Sequence, residues 1–271
     1  MPVADRGGHA THWTELGAGP RAALMLHCTL AHGGAWKGLA ARLGDLATMT
    51  AMDFPSHGRS AEWVSGMGEP QLHCTRMAAA CCDGPTDIVG HSFGATVALR
   101  LAIERPDLVR SLVLCEPVFF AVARRDFPEV QKGAERDMGR FIAALAARDL
   151  ETAAAEFVDY WEGGAKWQHI PPEAQAAILR QMAFIAEGEA TLYDDSAGQL
   201  EPGVLDAVTQ PVLLVEGAES PPSIGAINAG LATRLPDAQR VVVAGAGHMV
   251  PISHAPAVAT EIRRFWSDHP A

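Results

Sequence analysis

Through the first half of the chain, short apolar runs alternate with longer stretches whose apolar positions recur at helical spacing. Segments 11–17 (THWTELG), 22–28 (AALMLHC), 48–54 (TMTAMDF), 86–92 (TDIVGHS) and 111–116 (SLVLCE) read as strands. Between them, 36–47, 70–82 and 93–106 read as helices, the last stopped by Pro106. This alternation predicts an α/β fold with a mostly parallel central sheet flanked by helices. From 118 to 208 the strands disappear, and 138–161 and 172–192 each carry a helical pattern. Strand patterns return at 210–219 and 240–247, and 255–269 supplies a last helix. The expected organisation is therefore a core domain built from 1–117 and 209–271, with 118–208 inserted as a helical cap over one edge of the sheet.

Composition narrows the function classes. With 271 residues, 48% of them hydrophobic, the chain can bury one substantial core. Its formal net charge of −11 argues against nucleic acid or an anionic membrane as partner, because both require a clustered basic face. No stretch approaches the ~18 apolar residues of a spanning helix, and the N-terminal residues lack a leader pattern, so a cytoplasmic location is expected. The five cysteines (28, 74, 81, 82 and 115) form no C-x-x-C pair and read as buried free thiols. The eleven histidines show no cluster at ligand spacing, so neither a metal nor another cofactor is expected.

One segment carries chemistry. In Gly90-His91-Ser92-Phe93-Gly94 a serine stands between two glycines, where an apolar strand gives way to a helix. That context makes G-x-S-x-G a nucleophile elbow, in which a sharp turn raises the hydroxyl above the carboxyl ends of the strands and leaves no room for Cβ atoms two residues to either side. The unpaired N–H groups of the helix start lie beside it, and the Phe93 N–H is placed to stabilise an oxyanion. The plainer reading is a serine that only caps the helix.

Four segments in order, LHC at 26–28, DFPSHGRS at 53–60, GHSFG at 90–94 and GAGHMVP at 245–251, give the chain a resemblance to the α/β-hydrolase superfamily over essentially its whole length. Cys28 and Ser56 stand where that family usually carries glycine. The resemblance implies the α/β-hydrolase fold and a Ser-acid-His order, with His248 as general base and acid for Ser92. The acid is open. The family's usual position, three residues beyond the glycine ending the seventh strand, is Ser220 here, which leaves Glu116, after the strand that follows the nucleophile helix, and Glu219 as candidates. Glu116 is preferred, since a carboxyl ending an apolar run before Pro117 makes a poor surface charge.

The second oxyanion donor is expected from the loop after LMLHC, at Thr29, with Leu30 as the other candidate. His27, His91 and Phe119 are candidate pocket residues; Phe120 shares the position of Phe119, and His27 and His32 shape the loop or contact substrate. The aromatic residues Phe157, Tyr160, Trp161, Trp167 and Phe184 are expected to pack helices together rather than wall the pocket. The function expected is cofactor-free hydrolysis of a small-molecule ester, lactone or thioester through an acyl-enzyme, by a monomer or homodimer. Alternatives are a C–C bond hydrolase or perhydrolase with the same triad, or a non-catalytic small-molecule receptor.

Overall fold

The computed structural model describes residues 3–161 and 167–271; the parts of the expected core and cap at 1–2 and 162–166 lie outside the described residues. The strands are β1 (Val3–Arg6), β2 (His9–Leu16), β3 (Arg21–Leu26), β4 (Ala47–Met52), β5 (Thr86–His91), β6 (Val109–Cys115), β7 (Val212–Gly217) and β8 (Ala238–Val243). They form one sheet in the order β1-β2-β4-β3-β5-β6-β7-β8, antiparallel at β1-β2 and β2-β4 and parallel elsewhere. The helices are α1 (Lys37–Leu43), α2 (Pro70–Ala79), α3 (Phe93–Glu104), α4 (Phe120–Asp126), α5 (Pro128–Asp137), α6 (Gly139–Ala146), α7 (Leu150–Trp161), α8 (Pro172–Asp194), α9 (Pro222–Ala232), α10 (Val250–Ser253) and α11 (Ala255–Asp268).

The inner strands are buried on both faces, which explains their unbroken apolar runs. Leu24, Leu26, Ile88, Leu112, Leu114 and Leu214 point into one core with α2, α3, α4 and α9, whereas Met25, Val89, Val113, Leu213 and Val215 point into a second with α1 and α11. The period-2 alternation of a strand thus builds two layers from one sequence run. Every residue from Phe93 to Ala102 is buried, so the helix that follows Ser92 is held on all sides.

Several features depart from the expected pattern, among them β1, α4 and α5, for which no element was expected. The 138–161 stretch breaks into α6 and α7 at Arg148, whose φ of 57° no α-helix accommodates. Helix α9 was not anticipated; its small residues and two glycines give little amphipathic contrast. The cysteines form no disulfide among the described residues, and Cys81 and Cys82 are only partly buried. No helix among the described residues is long and apolar enough to cross a membrane.

Strand order reverses at β3, which pairs with β4 on one side and β5 on the other. Ligands of open α/β sheets sit at such a switch point, outside the carboxyl ends of the strands. Here it is bounded by the loop after β3 and by the β5-α3 turn, and helices α4 to α8 lie between β6 and β7 in the chain. Gln181 of α8 donates to the Ser56 carbonyl at 3.2 Å, Trp63 Nε1 donates to Glu187 Oε2 at 2.9 Å, and Gln199 donates to Gln71 at 2.9 Å, pinning this helical segment to the sheet domain.

Candidate active site

Ser92 closes β5 with φ 56° and ψ −116°, and its N–H donates to the Cys115 carbonyl of the neighbouring strand at 2.9 Å. A Cβ on Gly90 would lie 2.4 Å from the Gly94 carbonyl oxygen, and one on Gly94 would lie 2.2 Å from that of Leu26. Both glycines are therefore required by close approach, and the strained serine persists because packed backbone leaves it no alternative.

Ser92 Oγ lies 3.0 Å from His248 Nε2, and His248 Nδ1 lies 3.0 Å from Glu116 Oε2. Glu116 follows β6 with φ 54°, so two adjacent strands each end in a left-handed non-glycine residue, at a cost of about 1–3 kcal/mol each. The other oxygen, Glu116 Oε1, accepts from Gly217 N–H at 2.6 Å and from Ser220 Oγ at 2.8 Å. Ser220, at the position where the family usually carries its acid, thus donates to the Glu116 carboxylate. Glu219 is exposed, and its backbone N–H bonds Ala246.

The relay is dry. Burial pushes the Glu116 carboxyl up to about 7, against the opposing donors Gly217 and Ser220, and pushes the His248 imidazole down to about 3. His248 is consequently neutral at rest, and with Glu116 ionised the partners select the tautomer with Nδ1–H toward Glu116 and Nε2 accepting from Ser92. His91 is buried behind His248 and lines no cavity at Ser92: its Nε2–H donates to the His248 carbonyl at 2.8 Å, and burial lowers its imidazole to about 3.

The loop after β3 depends on two further buried imidazoles. His27 Nδ1–H donates to the Cys28 carbonyl at 2.7 Å, and its Nε2 accepts from Phe54 N–H at 3.0 Å; burial lowers it to about 4. His57 Nδ1–H donates to the Pro55 carbonyl at 2.7 Å, and its Nε2 accepts the Leu30 N–H at 3.0 Å; burial lowers it to about 3. His27 is thus a structural link between loops and does not line the cavities at Ser92. Leu30, at φ 65°, has its N–H engaged and is removed as an oxyanion donor. Among the described residues no acceptor faces the N–H of Thr29 or of Phe93. His57 was not singled out from the sequence, where it is one histidine among eleven. Ser56, at φ 63°, bears the strain of a glycine-like position while its Oγ accepts from Trp63 N–H at 2.8 Å.

A small apolar cavity, of about 50 Å³, opens beside Ser92 and Thr29. Its wall includes Val118, Phe120, Phe157, Trp161 and Phe184. Phe119 is 1% exposed and packs into the core, so the adjacent Phe120 takes the role expected of it. The expectation that the aromatic residues of 118–208 serve only helix packing is likewise corrected: Phe157, Trp161 and Phe184 line the cavity, with the Trp161 ring 4.3 Å from that of His248 and Phe184 5.2 Å from Phe93.

Residues 23–261 match the model of the alpha/beta hydrolase family. The chain belongs to that family. A pimeloyl-[acyl-carrier protein] methyl ester esterase of Neisseria meningitidis serogroup B is 30% identical over 231 residues, covering 80% of this chain and 81% of that protein. Lipase LipV of Mycobacterium tuberculosis is 39% identical over 103 residues, covering 37% of this chain and only 38% of that protein. The solved structure of a thermophilic esterase from Thermogutta terrifontis superposes with a TM-score of 0.70 at 23% identity, covering 99% of this chain and 97% of that one, and so shares its fold.

Proposed function

We propose that this member of the alpha/beta hydrolase family is a serine carboxylic ester hydrolase acting through an acyl-enzyme. The observation that carries the reading is the buried chain of contacts from Ser92 Oγ through His248 to Glu116, each 3.0 Å long, opening on an apolar cavity. Ester-hydrolysing relatives are consistent with it.

In the mechanism, Ser92 Oγ attacks the ester carbonyl as His248 Nε2 takes its proton, and the Glu116 carboxylate stabilises the imidazolium through Nδ1–H. The N–H groups of Phe93 and Thr29 receive the oxyanion; losing one such donor costs roughly 3–4 kcal/mol of transition-state stabilisation. The imidazolium then protonates the departing alcohol, leaving an acylated Ser92. Water attacks that ester by the same route, its proton passing to His248 and back to Ser92. No step needs a cofactor. Segment 118–208 serves as a cap, its aromatic side chains excluding water and shaping the acyl pocket. A cytoplasmic location agrees with the free thiols, which persist under reducing conditions.

Turnover of p-nitrophenyl acetate and butyrate at pH 8, wild type beside Ser92→Ala, tests the reading. Turnover abolished by the substitution supports it. An inactive wild type, or activity that survives the substitution, overturns it.

A further inference from the structure

The apolar wall of the cavity is interrupted at Glu189. This residue lies on α8 beside Gly188, on the face that also carries Ile185 and Leu192 into the cavity. Its carboxyl has no hydrogen-bond or ion-pair partner among the described residues. The nearby cation is already engaged: Arg124 bonds Glu135 at 2.8 Å, Asp194 at 2.5 Å and the Tyr193 carbonyl at 3.1 Å. Burial raises the Glu189 carboxyl above its ordinary range, with Arg124 opposing and Asp194 reinforcing the shift. A partly buried carboxyl facing an apolar cavity loses hydration without regaining a hydrogen bond, a cost that a donor on a bound ligand removes.

From this placement we infer that the cavity selects acyl groups ending in a neutral hydrogen-bond donor, such as a terminal hydroxyl, which Glu189 accepts. A terminal carboxylate brings like charge to Glu189 and is rejected. Glu189 is in this account a specificity-determining residue of the proposed ester hydrolysis, and the inference rests on that reading for its location.

Three esters separate the outcomes: methyl hexanoate, methyl 6-hydroxyhexanoate and monomethyl adipate. Their kcat/KM values are measured for wild type, Glu189→Gln and Glu189→Leu, with thermal melting confirming the fold of each. Their Kd values are measured by calorimetry on Ser92→Ala and on Ser92→Ala/Glu189→Gln. The hydroxy ester should exceed the hexanoate by about ten-fold in wild type and the adipate should fall below it. Glu189→Leu should equalise hydroxy ester and hexanoate, and Glu189→Gln should raise the adipate about ten-fold. Turnover of all three esters without discrimination, or an adipate-to-hexanoate ratio unchanged in Glu189→Gln, overturns the inference and leaves the hydrolase reading intact. Absent turnover, with the rejection of the adipate seen as a Kd ratio on Ser92→Ala that Glu189→Gln removes, overturns the hydrolase reading and sustains the inference.

Discussion

Replacing Glu116 by Gln separates an orienting carboxylate from a group that merely fills space. Glu116 Oε1 receives two donors, Gly217 N–H at 2.6 Å and Ser220 Oγ at 2.8 Å, so a glutamine placed there keeps its carbonyl oxygen on that side. Its NH2 then faces His248 Nδ1, where the carboxylate oxygen stood at 3.0 Å. A donor at that position forces the imidazole into the tautomer carrying its proton on Nε2, which cannot accept from Ser92. The imidazolium also loses its counter-charge. Together these should lower kcat by about 10⁴-fold, or about 5 kcal/mol of barrier. Folding should be spared, because amide and carboxylate have the same shape and the donors to Oε1 are kept. The folded carboxyl is raised from 4.5 to about 7, so its stabilising neutral form is complete below 4.5 and is lost as pH rises through 7. The glutamine does not titrate, so the variant should gain on wild type across that window, by up to a few kcal/mol. Steady-state kinetics and thermal melting at pH 5 and 8 read both effects, with Glu219→Gln alongside, whose exposed side chain should leave kcat unchanged. A Glu116→Gln enzyme within ten-fold of wild type would refute the orienting role.

The dependence of kcat/KM on pH should show an acid limb near 7, falling ten-fold per unit below it, because the competent Glu116–His248 pair has lost the proton that burial holds on it to about that pH. A limb near 4.5 would contradict this. Ser220→Ala removes a donor to the carboxylate and should move the limb upward by up to about one unit; an unmoved limb would show that this hydroxyl does not act on Glu116. His57→Phe leaves the Leu30 N–H without its acceptor and should lower kcat by about ten- to a hundred-fold with KM little changed, while His57→Gln, which can still accept, loses less; equal losses would argue against loop positioning. Phe184→Ala opens space between α8 and Phe93 and should cost roughly 3–5 kcal/mol in denaturant unfolding; a loss under 1 kcal/mol would mean that the helical segment is loosely held.

The core was legible because burial on both faces writes each inner strand as an unbroken apolar run, and because a strand-turn-helix with paired glycines leaves Ser92 few alternatives. Glu116 was legible as a carboxyl ending such a run, but its choice over Glu219 needed the geometry, since both residues lie near strand ends in sequence. Which aromatic residues face the cavity was not legible. A side chain packed on another helix and one facing a pocket share the same periodicity, so Phe157, Trp161 and Phe184 looked like core, and Phe119 and Phe120 could not be told apart. His57 and Ser220 were invisible as supports because each works through a contact with a residue distant in sequence, 27 positions away for Leu30 and 104 for Glu116.

The central claim is that Ser92 is an activated nucleophile in the resting protein. Intact-mass analysis after exposure to a fluorophosphonate at pH 8, followed by peptide mapping, tests it most directly. The account predicts one adduct per chain, on Ser92, absent in Ser92→Ala and formed far more slowly in Glu116→Gln. A wild-type protein that stays unlabelled, or labels at another residue, would contradict it.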